Sequence, residues 1–159
     1  MNGQISTEDQ IKFKEKLAQQ CIAIIEERIA NNLQLMNNAQ EAANSESKSS
    51  AGDKYETSRA MNQLQKDMYA TQLAANKKEL AAFLSIKYNV INRSIGIGSI
   101  IICGDKAFFI AAGLGKLAVD DFTVFLLSPN APLAKLLITK KIKDNFLFNK
   151  ELLMIENAF

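Results

Sequence analysis

Between Gly3 and Gly52 the chain contains neither glycine nor proline, and the same is true from there to Gly96. Without those breakers nothing in the backbone forces a helix to end. Both tracts repeat apolar or small residues at helical spacing. In the first, Ile11, Ala18, Ile22, Ile25, Ile29, Met36, Ala39 and Ala43 fit a three-four heptad seam, with Glu15 and Asn32 as polar interruptions. Thr7-Glu8-Asp9-Gln10 reads as the start: a Thr cap, a Gln three residues on, and acids in the first turn. A helix from Thr7 to about Ala43 would be roughly 55 Å long at about 1.5 Å per residue. The second pattern runs from about Lys54 to Ile86. There Met61, Leu64, Met68 and Ala75 form one stripe, and Leu73, Leu80, Phe83 and Leu84 shift it around the helix. The Ser-rich piece between them, Asn44 to Gly52, has poor helix propensity and is too short for an interdomain linker, so it reads as a hairpin loop. No third helix of this length follows, which favours an antiparallel coiled coil over a bundle.

Composition changes near Tyr88. Short runs rich in β-branched and aromatic residues follow: Ile95 to Ile102, Ala107 to Ala112, Phe122 to Leu127, Asn145 to Phe148 and Leu152 to Ile155. Turn signals divide them at Gly104-Asp105, Gly113-Leu114-Gly115, Asp120-Asp121 and Asn149-Lys150. One amphipathic piece, Asn130 to Ile138, reads as a short helix. The expected fold class is α+β, with a long helical hairpin over residues 1–90, its tip at about 44–56, and a small antiparallel sheet domain over 91–159.

Several function classes are excluded by what the chain lacks. Histidine is absent, which removes Ser-His-Asp and Cys-His nucleophiles and His-ligated zinc. The two cysteines, Cys21 and Cys103, are too few for a four-thiolate metal site and are expected to be buried free thiols. Lys plus Arg is 19 and Asp plus Glu is 17, a net charge of +2. That near-balance argues against holding a polyanion by bulk charge, and no sequence-specific DNA binding is expected. Met1 to Gln10 is polar, and the most apolar run, Ile95 to Leu114, is interrupted by Gly104, Asp105 and Lys106. Neither a signal peptide nor a membrane span is expected, and the location inferred is cytoplasmic.

The loop between the helices carries Gly52-Asp53-Lys54-Tyr55-Glu56. Asp-x-x-Glu is a common way to start a helix. It also places two carboxylates about 5–6 Å apart at Cβ on one helix face. Such a pair could share Mg²⁺, which typically takes one or two protein carboxylates and keeps several waters, with further ligands from a partner. Gly96-x-Gly98 and Gly113-Leu114-Gly115-Lys116 are weak phosphate signals. A P-loop needs glycine at Ile110 and Ser or Thr at Leu117, so both read as turns. Lys140, Lys141 and Lys143 beside Asp144 form a small basic cluster, most simply a solvated loop. The aromatics of the second half lie in strand-like runs and read as core rather than as a single-strand-binding surface.

In this order of parts the chain resembles the Gre family of bacterial transcript-cleavage factors, in which an N-terminal antiparallel coiled coil with an acidic tip precedes an FKBP-like sheet domain. Two motifs carry the resemblance. The family's tip reads Gly-Asp-x-x-Glu-Asn-x-Glu-Tyr, and Gly52-Asp53-Lys54-Tyr55-Glu56 matches its first half. Nearer the C-terminus the family has Ser-Pro, a short helix ending in two aliphatics, and Gly-Lys-Lys-aliphatic-Gly-Asp. Here Ser128-Pro129 precedes Leu137-Ile138-Thr139-Lys140-Lys141-Ile142-Lys143-Asp144. The chain departs from the family at Thr57-Ser58-Arg59-Ala60, which replaces Asn-x-Glu-Tyr, and at Thr139 and Lys143, which replace glycines.

The resemblance implies a partner, RNA polymerase, entered through its secondary channel. There the tip acids Asp53 and Glu56 would support the second catalytic Mg²⁺ while the polymerase cleaves its own backtracked RNA near the 3′ end. Lys54, Tyr55, Ser128 and Pro129 would contact the partner. The chain itself would not be an enzyme but would activate one. Two other functions fit the residues: a secondary-channel regulator or inhibitor without cleavage, and a coiled-coil adaptor or chaperone-like protein. Isomerase activity is not expected, because the FKBP pocket is usually floored by an aromatic, often Trp, and the chain has none.

Overall fold

The computed structural model describes residues 6–46 and 52–159, apart from the side chains of Glu46, Asp53 and Tyr55. The architecture is α+β: two long helices packed as a pair, then a small, mostly antiparallel sheet with one short helix. The helices are α1, Thr7–Glu46, and α2, Gly52–Leu84. The cap of α1 is Ser6, one residue before the expected Thr7. The Ser6 hydroxyl accepts the Asp9 N–H at 3.1 Å and donates to the Asp9 carboxylate at 2.6 Å. Asp9, not Gln10, completes the box, because a charged acceptor in the first turn also meets the positive end of the helix dipole.

The chain divides into two compact units, Ala23–Ala82 and Met1–Ile22 with Phe83–Phe159. In Ala23–Ala82 the inward seam of α1 is the expected one, with Ile25, Asn32 and Ala39 buried and Ile29, Met36 and Ala43 half-buried. The seam of α2 is the expected one only in its second half: Leu73 and Leu80 are sheltered, with Ser58, Asn62, Lys66, Tyr69, Asn76 and Glu79, whereas Met61, Leu64 and Met68 are 62%, 71% and 47% exposed. Both stripes have three-four spacing, so periodicity alone does not choose between them. The choice matches polar groups across the pair: Asn32 shares a cavity with Gln72 and Asn76, and the Lys66 ammonium donates to Gln40 Oε1 at 2.6 Å. An apolar α2 face would leave the buried Asn32 amide and the Gln40 carbonyl oxygen with no polar group opposite them.

The other unit is built on a five-stranded sheet. Its strands are β1 (Ile100–Cys103), β2 (Lys106–Ile110), β3 (Gly115–Val119), β4 (Phe122–Leu127) and, late in the chain, β7 (Asn157–Ala158), in the order β3-β4-β2-β1-β7. A separate ribbon pairs β5 (Asn145–Phe148) with β6 (Glu151–Met154). All pairings are antiparallel except β2 with β4. Two-residue turns at Gly104-Asp105, Asp120-Asp121 and Asn149-Lys150 join hairpins where the sequence signals them. Asn149 and Lys150 have φ of 50° and 68°, the positive pair that a type I′ turn requires.

The sheet is covered on both faces. Ile101, Cys103, Phe108 and Ile110 share one cluster with Ala134 and Leu137 of α3 (Pro132–Ile138) and with Phe146 and Leu153 of the ribbon. On the opposite face Phe109 meets Phe83 edge-on at 6.1 Å, and Phe122 meets Phe13 at 5.7 Å. Double coverage explains why β1 is buried at all four positions and does not alternate. Helix α3 starts at Pro132 rather than Asn130, because the Ala131 N–H closes a turn onto the Ser128 carbonyl at 2.9 Å and Pro132 suits a first helical position.

The strand expected at Ile95 begins only at Ile100. Before it, Ser99 is 1% exposed, and its hydroxyl oxygen accepts from Asn92 Nδ2 at 2.7 Å and the Gly96 N–H at 3.0 Å. Gly98 turns with φ of 85°, and a Cβ there would lie 2.7 Å from Ile86 Cγ2. Gly98→Ala should therefore cost about 1–2 kcal/mol of stability through left-handed strain plus the clash, measured as a lower denaturation midpoint. A cost near zero would mean that Gly98 does not hold this turn.

Candidate functional site

The acidic motif opens α2. The helix begins at Gly52, so Asp53 falls inside its first turn rather than at the cap expected of it. Loop residues 47–51 and the side chains of Asp53 and Tyr55 lie outside the described residues. Lys54 and Glu56 are exposed. Asp53 and Glu56 stand three apart on one helix, a spacing that makes surface neighbours. Among the described residues no three of His, Cys, Asp or Glu gather into a metal-sized group. Two carboxylates at this spacing fit the one or two that Mg²⁺ takes from a protein, with the other positions left to water or a partner.

Immediately after the motif lies a feature the sequence reading missed. Arg59, Asn62 and Lys66 of α2 face Gln40 and Asn44 of α1 around a cavity of about 390 Å³, and among the described residues no carboxylate lines it. Lys66 is tied to Gln40, whose amide donates on to Asn44 Oδ1 at 3.1 Å. Gln63, also on the lining, donates to Asp67 at 2.9 Å. Two cations framed by amides can receive an anionic backbone such as a phosphodiester. The signal was present as Arg59 and Lys66, seven apart on one helix face, but without α1 opposite it looked like ordinary surface charge.

The second motif sits between β4 and α3. Ser128 and Pro129 are half-buried, and the Ser128 hydroxyl accepts the Asn130 N–H at 3.3 Å. The basic stretch forms a turn of its own. The Asp144 carboxylate accepts the Lys141 N–H at 2.9 Å, and Lys143 has φ of 76°. These residues belong to a different unit from Asp53 and Glu56.

Cys21 and Cys103 are free and buried, as expected, and burial pushes each thiol up to about 12, so neither is a nucleophile at neutral pH. No helix among the described residues is long and apolar enough to cross a membrane. Comparison with protein-family models, with curated proteins and with solved structures finds no match.

Proposed function

We propose that this protein is a Gre-like transcription elongation factor. It enters the secondary channel of RNA polymerase and stimulates cleavage of backtracked RNA, with Asp53 and Glu56 supporting the second catalytic Mg²⁺. The observation that carries the reading is the Asp53-x-x-Glu56 pair at the start of α2, on a hairpin of two long helices joined to a small sheet unit. The cavity beside Arg59 and Lys66 supports it, because two cations there can meet a partner's RNA backbone. So does Lys143, whose left-handed backbone stands where the family pattern has glycine. Such a factor works in the cytoplasm and has no complete active site of its own.

The test is a cleavage assay on backtracked complexes of the cognate polymerase. Wild-type protein should accelerate cleavage, and Asp53→Ala or Glu56→Ala should abolish the acceleration while polymerase binding persists. Binding by the wild-type protein without acceleration would favour a second reading, a channel-occupying regulator. Thr57-Ser58-Arg59-Ala60 supports that reading, because it supplies none of the carboxylate of the family's Asn-x-Glu-Tyr.

A further inference from the structure

A cavity of about 300 Å³ lies far along the chain from the acidic motif, between the first turns of α1 and the helix-facing side of the sheet, all within one compact unit. Its walls are aromatic and aliphatic. Phe13 of α1 meets Phe122 of β4 edge-on, and Phe159 and Ile102, only 1% and 5% exposed, close the floor. The volume is about twice the ~150 Å³ that suffices for benzene in an apolar protein cavity, so it has room for a fused two-ring body.

Four charged groups rim the cavity, and they are not equivalent. Lys16 is paired with Asp120, which fastens α1 to the β3–β4 turn. The Asp9 carboxylate is engaged by the Ser6 hydroxyl at the helix cap. Among the described residues Lys12 pairs with Glu8, one helical turn back, at 2.7 Å, and both side chains are largely exposed at 66% and 78%. Glu8 does not line the cavity. A pair that exposed contributes little and exchanges readily for another anion. The rim therefore holds one cation whose present partner is replaceable, above an aromatic floor.

We propose that this cavity is a small-molecule site for an aromatic acid, its ring system against Phe13, Phe122 and Phe159 and its anionic group on Lys12 in place of Glu8. An apolar cleft with a few polar groups at its rim is the usual form of such a site; here Lys16 and Asp120 neutralise each other and Asp9 is engaged by Ser6, which leaves Lys12 for the anion. The proposal is independent of any polymerase partner.

The full chain can be titrated with naphthoate and with the neutral naphthyl methanol while backbone amide shifts are followed. Both ligands should give saturable shifts at Phe13, Ile102 and Phe122, with naphthoate about five-fold tighter, the upper range for one exposed ion pair. Lys12→Ala, an exposed change that leaves the core untouched, should erase that difference and leave naphthyl methanol unaffected. Shifts that fail to saturate, or that scatter away from the cavity, overturn the site. Equal affinity for the two ligands, or naphthoate binding that survives Lys12→Ala, overturns the assignment to an acid.

Discussion

Replacing Phe108 with alanine is expected to remove about 3–5 kcal/mol of folding stability, the range for truncating a fully buried aromatic. Phe108 is 0% exposed. Its ring stacks on Phe125 at 5.3 Å and takes Phe146 and Phe148 edge-on at 5.5 and 5.0 Å. Three elements meet on this one side chain: β2, its parallel neighbour β4, and the β5–β6 ribbon. Alanine would leave a cavity that β-sheet backbones on two sides are slow to collapse into, and the three rings would lose their aromatic partner, worth about 0.5–1.5 kcal/mol per pair beyond burial. A typical domain has only about 5–15 kcal/mol in total, so the variant should unfold at markedly lower denaturant. Phe108→Leu keeps most of the volume and should cost well under half as much. If alanine cost no more than leucine, Phe108 would not be the keystone its contacts describe.

Lys14→Met should have the opposite sign and stabilise the protein by about 2 kcal/mol at neutral pH. Lys14 is 0% exposed, and the hydrogen bond found for its ammonium is a donation to the Val90 carbonyl at 2.9 Å. Burial without a carboxylate disfavours the charged form and lowers its pKa to about 8. A drop of that size corresponds to an upper bound of roughly 3 kcal/mol, part of which is lost to solvent screening and to the hydrogen bond that methionine cannot make. Methionine keeps the unbranched stem and removes the charge.

The pH dependence follows from the direction of the shift. Below about 8 both folded and unfolded chains carry the proton, and the cost is present in full. Between about 8 and the ordinary lysine range the unfolded chain binds more protons than the folded one, so the cost fades as pH rises. The advantage of the methionine variant should therefore shrink from pH 7 towards pH 10. The buried thiols act the other way. Their folded values of about 12 destabilise both proteins once the unfolded thiols ionise, and this cancels in the comparison. Parallel stability curves for wild type and Lys14→Met would contradict the account, as would a less stable variant at pH 7.

Lys14 also shows where sequence reasoning stops. The heptad pattern places Glu15 in the seam of α1, yet Glu15 is exposed and Lys14 is buried beside Leu17, Ala18 and Cys21. At this end α1 packs on a sheet rather than on one other helix, and a sheet accepts a stripe rotated by one residue. The strand β3 was missed for a related reason. It is an edge strand with Gly115, Lys116 and Ala118 exposed, so the apolar run that marks buried strands is absent. Of the candidate site, the Asp53-x-x-Glu56 spacing could be read from the sequence because it is local, whereas Ser128 and Pro129 entered only through the family resemblance. The cavity at Arg59 and Lys66 was not, because half of its lining comes from α1.

The sequence by itself determined the two long helices and the three two-residue hairpin turns. These depend on the absence of glycine and proline, on propensity, and on residues tolerant of positive φ, all of which act within a few residues. Only the tertiary structure decided which stripe of α2 turns inward, leaving Met61, Leu64 and Met68 in solvent and Asn62, Lys66 and Asn76 in the seam. It alone also paired β2 with β4 in parallel. Periodicity specifies a face but not what that face will meet, and here the buried Asn32 and half-buried Gln40 of α1 made a polar partner better than an apolar one.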